Sequence, residues 1–318
     1  MEKTHGLFII NPRAGAHRGR HVERWIMANL PSDRFSYDVT YTRFSGHATE
    51  LAREASADFV VAVGGDGTVN EVAQGLLGTR KLLGIIPCGS GNGLAHHLGI
   101  PLNKAAAVRI IQAMHVLSMD YGLIQRIPFF CTCGVGLDAT VSQRFADLSR
   151  RGLQAYVQKA VETWLTYRAQ EYTICVDGQV CCEKALLITV GNANQWGNWI
   201  YICPRASVCD GLLDVTLVRP FPAVEIPLIA GLLLAGRLDE SERIVTLRGR
   251  HISIHRAGED MAHYDGEPVR LGDQIEITVG PDPLRVLAPE SADSGTLPVR
   301  LLKTMELPVK EIMHRLKR

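Results

Sequence analysis

The chain has 318 residues, of which 46% are hydrophobic and 21% charged, and its formal net charge is +1. This composition is ordinary for a globular protein, and the length suits two domains. The near-neutral balance argues against nucleic-acid binding driven by bulk charge, so we expect no nucleic-acid partner. The first residues show no signal-peptide pattern, and the eight cysteines form no CxxC pair. Both features favour a cytoplasmic protein with reduced thiols.

The first third of the chain alternates between strand and helix patterns. Apolar runs typical of buried strands lie at Gly6–Ile10, Phe35–Tyr41, Phe59–Val63 and Leu82–Ile86, with helical patterns between them. This alternation predicts a parallel sheet with right-handed crossovers. Because the carboxyl ends of parallel strands meet at one edge, we expect the loops that follow them to lie together there.

The most informative of these loops is GGDGTVNE, Gly64–Glu71, which joins a strand to a helix. Its glycines permit positive φ and let the backbone approach a ligand closely, and the helix start favours a phosphate. Thr68 adds a hydroxyl. The carboxylate of Asp66 fits beside a phosphate if a divalent cation or a reacting hydroxyl lies between them. The alternative interpretation is a tight turn with a capping aspartate.

Two further loops follow strands in the same way. Asn11–Gly15 leaves the first strand, and Gly89–Gly93 follows the fourth. The second of these reads GxGxG, which is not the GxGxxG dinucleotide fingerprint, and the chain has no GxxxxGK[ST] string. An ordinary Rossmann oxidoreductase and a P-loop enzyme are therefore disfavoured.

The pattern changes in the second half of the chain. Short β-type runs separated by turns extend from about residue 127 to 287 and predict an antiparallel sandwich. One helical insertion is expected at about 153–166. The apolar stretch 224–235 is too short to span a bilayer. It is either a helix packed on the sandwich or a wall for an apolar substrate.

Two turns of this half carry paired carboxylates. Ser207–Asp214 places two around an Asp-Gly turn, where carbonyl groups and Asp210 are suitable Mg²⁺ ligands. His263–Pro268 contains the Asp265-Gly266-Glu267 turn. By spacing alone both are ordinary turns. Asn192–Gly197 is a polar loop that leaves a strand, and it is also readable as a turn.

Taken in order, these motifs resemble the diacylglycerol kinase and sphingosine kinase family of lipid kinases, over about residues 5–285. The resemblance implies a nucleotide-binding α/β domain at 1–124, of the NAD kinase/diacylglycerol kinase-like fold with a parallel sheet. It also implies an antiparallel β-sandwich domain at 125–290 on the lipid side of a cleft. GGDGTxNE is the most specific motif.

The family pattern also implies site residues. The nucleotide set is Asn11, Thr42, Gly64, Gly65, Asp66, Gly67, Thr68, Asn70, Glu71 and Ser90. A structural Mg²⁺ would take the Ser207 carbonyl, Asp210 and the Leu212 carbonyl. Asp265 and Glu267 look like the pair that supplies the general base, and Asp66 is a further candidate.

The function implied is transfer of the γ-phosphate of ATP, with Mg²⁺, to the hydroxyl of a diacylglycerol- or sphingosine-like lipid. The third loop has Asn92-Gly93 where bacterial diacylglycerol kinases usually have Asn-Asp, which is closer to the sphingosine kinase form. Two alternatives remain. One is an NAD kinase-like enzyme, which shares the GGDGT loop, and the other is a non-catalytic nucleotide- or lipid-binding protein.

The tail, 291–318, lies outside the resemblance. Residues 300–318 contain six Lys or Arg and two Glu, a net charge of +4. Val309, Ile312, Met313 and Leu316 share one face of the predicted helix. This basic amphipathic segment predicts either peripheral contact with an anionic inner membrane face, where the lipid substrate would be met, or packing on the first domain. A homodimer is compatible with the sequence.

Overall fold

The computed structural model describes residues 3–15, 22–146 and 162–294. The predicted helix at 153–166 lies partly outside these ranges, with residues 162–166 helical, and the tail helix lies wholly outside. The described chain forms two compact units. One contains the chain up to Tyr121 together with Gly280–Ser294, and the other contains Gly122–Val279.

The first unit is an α/β domain built on a six-stranded sheet in the order β2-β1-β3-β4-β18-β5. Its strands are β1 (Thr4–Ile10), β2 (Phe35–Tyr41), β3 (Phe59–Gly64), β4 (Leu82–Pro87), β5 (Val116–Met119) and β18 (Leu284–Leu287). Its helices are α1 (Val22–Asn29), α2 (His47–Glu54), α3 (Asp66–Leu76), α4 (Gly93–His97) and α5 (Lys104–Ala113). The first four strands pair in parallel, which confirms the predicted sheet.

Strand order fixes where a ligand meets this sheet. From β1 the chain moves to β2 on one side, whereas β3 and β4 are added on the other. The crevice at such a reversal lies outside the carboxyl ends of the strands, and it is the usual ligand site of open α/β sheets. β3 and β4 are buried along their whole length, as expected of strands covered on both faces. The loops after β1 and β3 therefore flank the crevice.

The second unit contains two six-stranded antiparallel sheets, in the orders β10-β9-β14-β17-β6-β7 and β13-β12-β11-β8-β15-β16. The strands of the first sheet are β6 (Gly122–Ile124), β7 (Ile127–Phe129), β9 (Gln170–Val176), β10 (Gln179–Ala185), β14 (His251–His255) and β17 (Gln274–Val279). Those of the second are β8 (Thr132–Gly136), β11 (Leu187–Gly191), β12 (Leu213–Val218), β13 (Ile244–Gly249), β15 (Asp260–Tyr264) and β16 (Glu267–Leu271). One buried cluster takes side chains from both sheets, which confirms the sandwich.

Besides the helical residues 162–166, the described part of the second unit contains α6 (Leu137–Ala146) and α7 (Ile226–Ala235). Three short 3₁₀ helices complete the described chain, at Ala223–Glu225, Leu238–Glu240 and Glu290–Ser294. A second hydrophobic cluster joins the inner sides of the two helices to β11 and β12. The apolar stretch 224–235 therefore contains a helix packed on a sheet of the sandwich, which was the first of the two interpretations of this stretch.

The end of the sandwich region differs from the expectation. Residues 280–290 were expected in the second domain, but β18 pairs with β4 and β5 in the sheet of the first unit. The reason is that the strand at 284–287 pairs with strands of the first unit rather than with those of the sandwich. Val286 and Leu287 are fully buried between the neighbouring strands of that sheet, and an apolar run alone cannot reveal which sheet it joins.

Candidate active site

The glycine loops after β3 and β4 pack directly against each other. A Cβ at Gly89 would come within 2.5 Å of the Gly65 Cα, and one at Gly91 would come within 2.7 Å of the Asp66 Oδ2. Neither Gly64, Gly65 nor Gly67 has positive φ. Their lack of a side chain serves close approach instead, which corrects one of the two roles expected of these glycines.

Asp66, the first residue of α3, fixes this arrangement. Its Oδ2 accepts a hydrogen bond of 2.8 Å from the backbone N–H of Asn92, and its Oδ1 accepts one of 2.6 Å from that of Gly93. Asn92 has a φ of 50°, and its Oδ1 accepts from the N–H of Gly89 at 2.9 Å. Asn92 is thus a site residue that the nucleotide set omits. The sequence offered one indication of this role, namely that Asn92 lies within the glycine-rich loop Gly89–Gly93.

Another hydrogen bond spans the crevice between β1 and β3. The Nδ2 of Asn11 donates to the Oγ1 of Thr68 at 3.0 Å. Thr68 lies in the first turn of α3, whose amide groups have no acceptor within the helix. The hydroxyl and these amides form a cradle suited to an anion. Ser90 is exposed on the adjacent loop, and Thr42 follows β2 with its N–H bonded to the Ile10 carbonyl at 2.9 Å.

Two predicted nucleotide residues have structural roles in this unit. Asn70 is buried and accepts a 2.6 Å hydrogen bond from Gln74 one turn later. The Oε2 of Glu71 accepts from the N–H of Ala48 at 3.1 Å, and its carbonyl accepts from the Thr49 hydroxyl at 2.9 Å. Glu71 therefore caps the first turn of α2. These side chains hold the helices that carry the loops.

The hairpin of β15 and β16 turns through Asp265 and Gly266, with φ values of 46° and 85°. Asp265 is held firmly: its Oδ1 accepts from the N–H groups of Cys131 at 2.8 Å and Thr132 at 3.0 Å. Its Oδ2 accepts from the N–H of Phe130 at 2.8 Å. The carboxylate therefore anchors the turn to the start of β8.

Glu267, two residues later, is different. Its side chain is exposed, and within the described chain its carboxylate has no hydrogen-bond or ion-pair partner. A base must have a lone pair available for the proton it takes. The two carboxylates of the turn therefore differ. That of Asp265 anchors the turn to β8, whereas that of Glu267 is exposed and able to accept a proton.

The base of the same hairpin is clamped by Arg256, which sequence reasoning missed. Its guanidinium is fully buried and donates to four carbonyl oxygens, of Asp260, Met261, Leu271 and Gly272, at 2.6–3.1 Å. A buried charge with all these acceptors holds the two strands in register. Its sequence neighbours give no signal of this role.

A buried polar group lies at the start of α6. The Oδ2 of Asp138 accepts from the Thr189 hydroxyl at 2.6 Å and lies 3.1 Å from Nε2 of His263 on β15. All three side chains are at most 3% exposed. Asp138 also lines an apolar cavity of about 170 Å³ between α6, α7 and the neighbouring strands. The other lining residues are Leu137, Val141, Trp164, Leu186, Leu187, Trp196, Ile202, Val218, Phe221, Ile226, Ile229, Ala230, Leu233 and Leu238.

The predicted magnesium ligands lie just before β12, and a side chain that was not foreseen reaches them. The guanidinium of Arg248 forms ion pairs with Asp210 and, at 3.1 Å, with Asp214. The Oδ1 of Asp210 accepts from the N–H of Leu212 at 3.1 Å. Burial raises the pKa of Asp214 to about 6 in spite of the guanidinium. The guanidinium of Arg248 already pairs with these carboxylates, so a divalent cation held by Ser207, Asp210 and Leu212 would compete with it.

Arg248 is expected to provide the positive charge at this turn. Arg248→Ala should lower the free energy of unfolding by about 1–2 kcal/mol, because two carboxylates lose their partner at a partly exposed site. It should also make the melting temperature rise with added Mg²⁺, whereas that of the wild type stays constant. Differential scanning fluorimetry over a Mg²⁺ series measures both effects.

Arg250→Ala is the matched control, because Arg250 is also an exposed arginine next to this turn. It should leave the Mg²⁺ response unchanged. A wild-type melting temperature that climbs with Mg²⁺ to the same extent as that of Arg248→Ala would show that the cation displaces the arginine.

Comparison with known proteins agrees with this architecture. Residues 5–124 match the diacylglycerol kinase catalytic domain, and residues 131–288 match the YegS C-terminal NAD kinase beta sandwich-like domain. A YegS-like lipid kinase of Pseudomonas aeruginosa is 30% identical over 91% of this chain and 96% of its own length. A diacylglycerol kinase of Bacillus subtilis is 27% identical over 81% of this chain and 88% of its own.

Solved structures show the same fold. A Bacillus anthracis structure described as a diacylglycerol kinase superposes with a TM-score of 0.77 at 25% identity, over 91% of this chain and 96% of that one. An NAD kinase of Archaeoglobus fulgidus, in complex with ATP, shares the fold with a TM-score of 0.54 at 15% identity.

Fold and loops together define an ATP-using phosphotransferase of the two-domain kind. The chain belongs to the family of diacylglycerol kinases and YegS-like lipid kinases, which act on a lipid alcohol. Within the described residues no helix is long and apolar enough to cross a membrane.

Proposed function

We propose that this protein transfers the γ-phosphate of ATP to the hydroxyl of a diacylglycerol- or sphingosine-like lipid, with Glu267 as the general base. The observation that carries the proposal is the contrast among the three candidate carboxylates. Asp66 and Asp265 each accept backbone N–H bonds through both oxygens, whereas Glu267 is exposed and unpartnered in the described chain. Only Glu267 combines exposure with an available lone pair.

The donor phosphates are assigned to the cradle at the crevice. The first-turn amides of α3 and the Thr68 hydroxyl lie at one helix start, Asn11 donates to that hydroxyl, and the exposed Ser90 lies on the adjoining loop. Preorganised donors of this kind stabilise the charge on a transferring phosphoryl group. The adjacent Thr42 belongs to the proposed nucleotide site.

Mg²⁺ is assigned to the nucleotide rather than to the turn at 207–212. When bound with ATP, it offsets the charge that develops on the phosphates. The carboxylate of Asp66 lies at the start of α3, and its negative charge suits a cation beside the cradle. The 207–212 turn has its own cation in Arg248.

The lipid hydrocarbon is assigned to the apolar cavity of the second unit. Its lining is almost wholly carbon, apart from Asp138. An apolar cavity of about 150 Å³ takes up benzene, so about 170 Å³ accommodates part of an acyl chain. A bulky ring placed in this space should therefore interfere with long-chain substrates.

Ala230→Trp tests this assignment, because Ala230 lines the cavity from α7. The variant should lower kcat/KM about tenfold for a long-chain lipid and much less for a short-chain analogue, since one lost chain contact is worth about 1–3 kcal/mol. Leu234→Trp, on the same helix but outside the lining, is the control. An equal loss with both chain lengths would remove the cavity from the proposal.

The tail at 295–318 lies outside the described residues, and its contact with an anionic inner membrane face stays a proposal, as does a homodimer. Vesicle binding at two salt concentrations tests the tail, because attraction by its basic residues falls as salt rises.

One assay tests the whole proposal. Radiolabelled ATP is offered with diacylglycerol, sphingosine, ceramide, phosphatidylglycerol and NAD in parallel. A labelled lipid supports the lipid kinase. Labelled NAD would favour an NAD kinase, whose fold the chain shares, and no labelled product with ATP still bound would indicate a non-catalytic nucleotide-binding protein.

A further inference from the structure

The helix α7 is apolar on all sides, although it lies at the surface of its unit. Its sequence, IPLIAGLLLA, contains no polar residue. Ile229 is buried and lines the cavity, whereas Leu228 and Leu234 are 46% and 44% exposed. Val224, one turn before Leu228, is 82% exposed. A helix of this composition is normally buried, so its outward side requires an apolar partner.

Leu165 is a further exposed aliphatic side chain of this unit. It is 66% exposed and follows Trp164, whose ring lies 5.6 Å from that of Phe221, and both rings line the cavity. We name Leu165, Val224, Leu228 and Leu234 the outer rim. Each of these four exposed aliphatic side chains lies within two residues of one that lines the cavity, which differs from the scattered single residues that are normal on a protein surface.

Three arginines on segments next to α7 are paired with carboxylates. Three ion pairs lie on the neighbouring segments, each closed at 2.6 Å: Arg205–Asp239, Arg237–Glu240 and Arg243–Glu225. Each of these three arginines is therefore neutralised by a carboxylate rather than left for an anionic partner. An apolar face with balanced charges suits the interface of a bilayer with uncharged headgroups.

The size of the cavity supports the same partner. About 170 Å³ takes only part of a long acyl chain, so the remainder of a bound lipid must be covered elsewhere. α7 presents apolar side chains to the cavity on one side and to the outside on the other. A bilayer against its outward side would cover the rest of the chain.

We propose that the outer rim inserts into the interfacial layer of a lipid bilayer, and that α7 forms the wall between this layer and the cavity. The assignment of the cavity to a lipid rests on the proposed function, whereas the membrane contact can be measured without it. Its attraction is the burial of apolar surface, so the contact should depend little on salt.

The test is co-sedimentation of the full chain with phosphatidylcholine vesicles, without ATP. Two glutamates on the rim, in Val224→Glu/Leu228→Glu, should lower the partition coefficient by about tenfold or more, since charged groups are costly at the apolar boundary. Val180→Glu is the matched control, because Val180 is 65% exposed on β10 and does not belong to the rim. Binding of the wild type should change less than about twofold between roughly 0.05 and 0.5 M NaCl.

Three results would overturn the proposal. The first is equal vesicle binding by the double variant and the wild type. The second is binding that disappears on deletion of 295–318 while the rim is intact. The third is a wild-type dimer that the double variant converts to monomer in sedimentation velocity, because the rim would then contact a second copy.

Phosphorylation of a water-soluble short-chain diacylglycerol separates this inference from the proposed function. Normal turnover of this acceptor by the double variant, together with lost vesicle binding, supports the rim. If the wild type phosphorylates no lipid but its vesicle binding still depends on the rim, the proposed function fails and the membrane contact stands.

Discussion

Glu267→Gln is expected to lower kcat by about two to four orders of magnitude, the range of general-base contributions. The amide keeps the shape of the side chain but cannot accept the proton of the acceptor hydroxyl. Because Glu267 is exposed and its carboxylate forms no hydrogen bond or ion pair with described residues, the melting temperature should change little. Single-turnover kinetics with saturating ATP and lipid measure the chemical step, and ATP binding should be unaffected.

Asp265→Asn separates the two carboxylates of this turn. Asp265 accepts hydrogen bonds from three backbone N–H groups. An asparagine would turn its NH₂ group towards one or two of them, and these donors would lose their acceptor. Each such loss costs about 1–3 kcal/mol, so both stability and activity should fall. If Asp265→Asn keeps the wild-type melting temperature and Glu267→Gln keeps its turnover, the roles assigned here are reversed.

Asp66→Asn is expected to lower kcat by about two orders of magnitude or more. The substitution removes a negative charge beside the proposed phosphates and replaces one acceptor of the N–H groups of Asn92 and Gly93. If Asp66 also holds the cation, the variant should need a higher Mg²⁺ concentration for half-maximal rate. The measurement is the rate as a function of Mg²⁺ at fixed ATP.

Glu71→Gln is the control for this prediction. Glu71 lies in the same motif, but its carboxylate caps α2, and the amide oxygen of glutamine can still accept from Ala48. Turnover should therefore stay within a few-fold of the wild type and its Mg²⁺ dependence should not shift. An Asp66→Asn enzyme with an unaltered Mg²⁺ response would restrict Asp66 to positioning the third loop.

Local patterns were sufficient to predict the parallel sheet and the sandwich. β3 and β4 are continuous apolar runs followed by glycines, and the turn at Asp265-Gly266 has the residues that positive φ requires at both positions. The residues of the proposed phosphate cradle could be picked out for the same reason: Thr68 and Asp66 closely follow a buried strand. In these places a residue and its role are close together in sequence.

Roles that depend on distant partners could not be predicted. Arg248 reaches Asp210 from another strand, and Asp265 binds amides more than 130 residues before it. Nothing near Glu267 in the sequence shows that both carboxylate oxygens of Asp265 accept backbone hydrogen bonds. The geometry of the hydrogen bonds, rather than the motif, distinguishes the anchored carboxylate of Asp265 from that of Glu267, which we propose as the base.

The position of β18 has a consequence for how this protein is made. The sheet of the first unit requires a strand that the ribosome delivers only after the whole of Gly122–Val279 has been synthesised. Until then the edges of β4 and β5 lack their partner, and pairings this distant in sequence form slowly. A gene fragment that stops near residue 124 should therefore yield an incomplete, aggregation-prone sheet, whereas one in which 280–294 are fused after Tyr121 retains every strand of the unit.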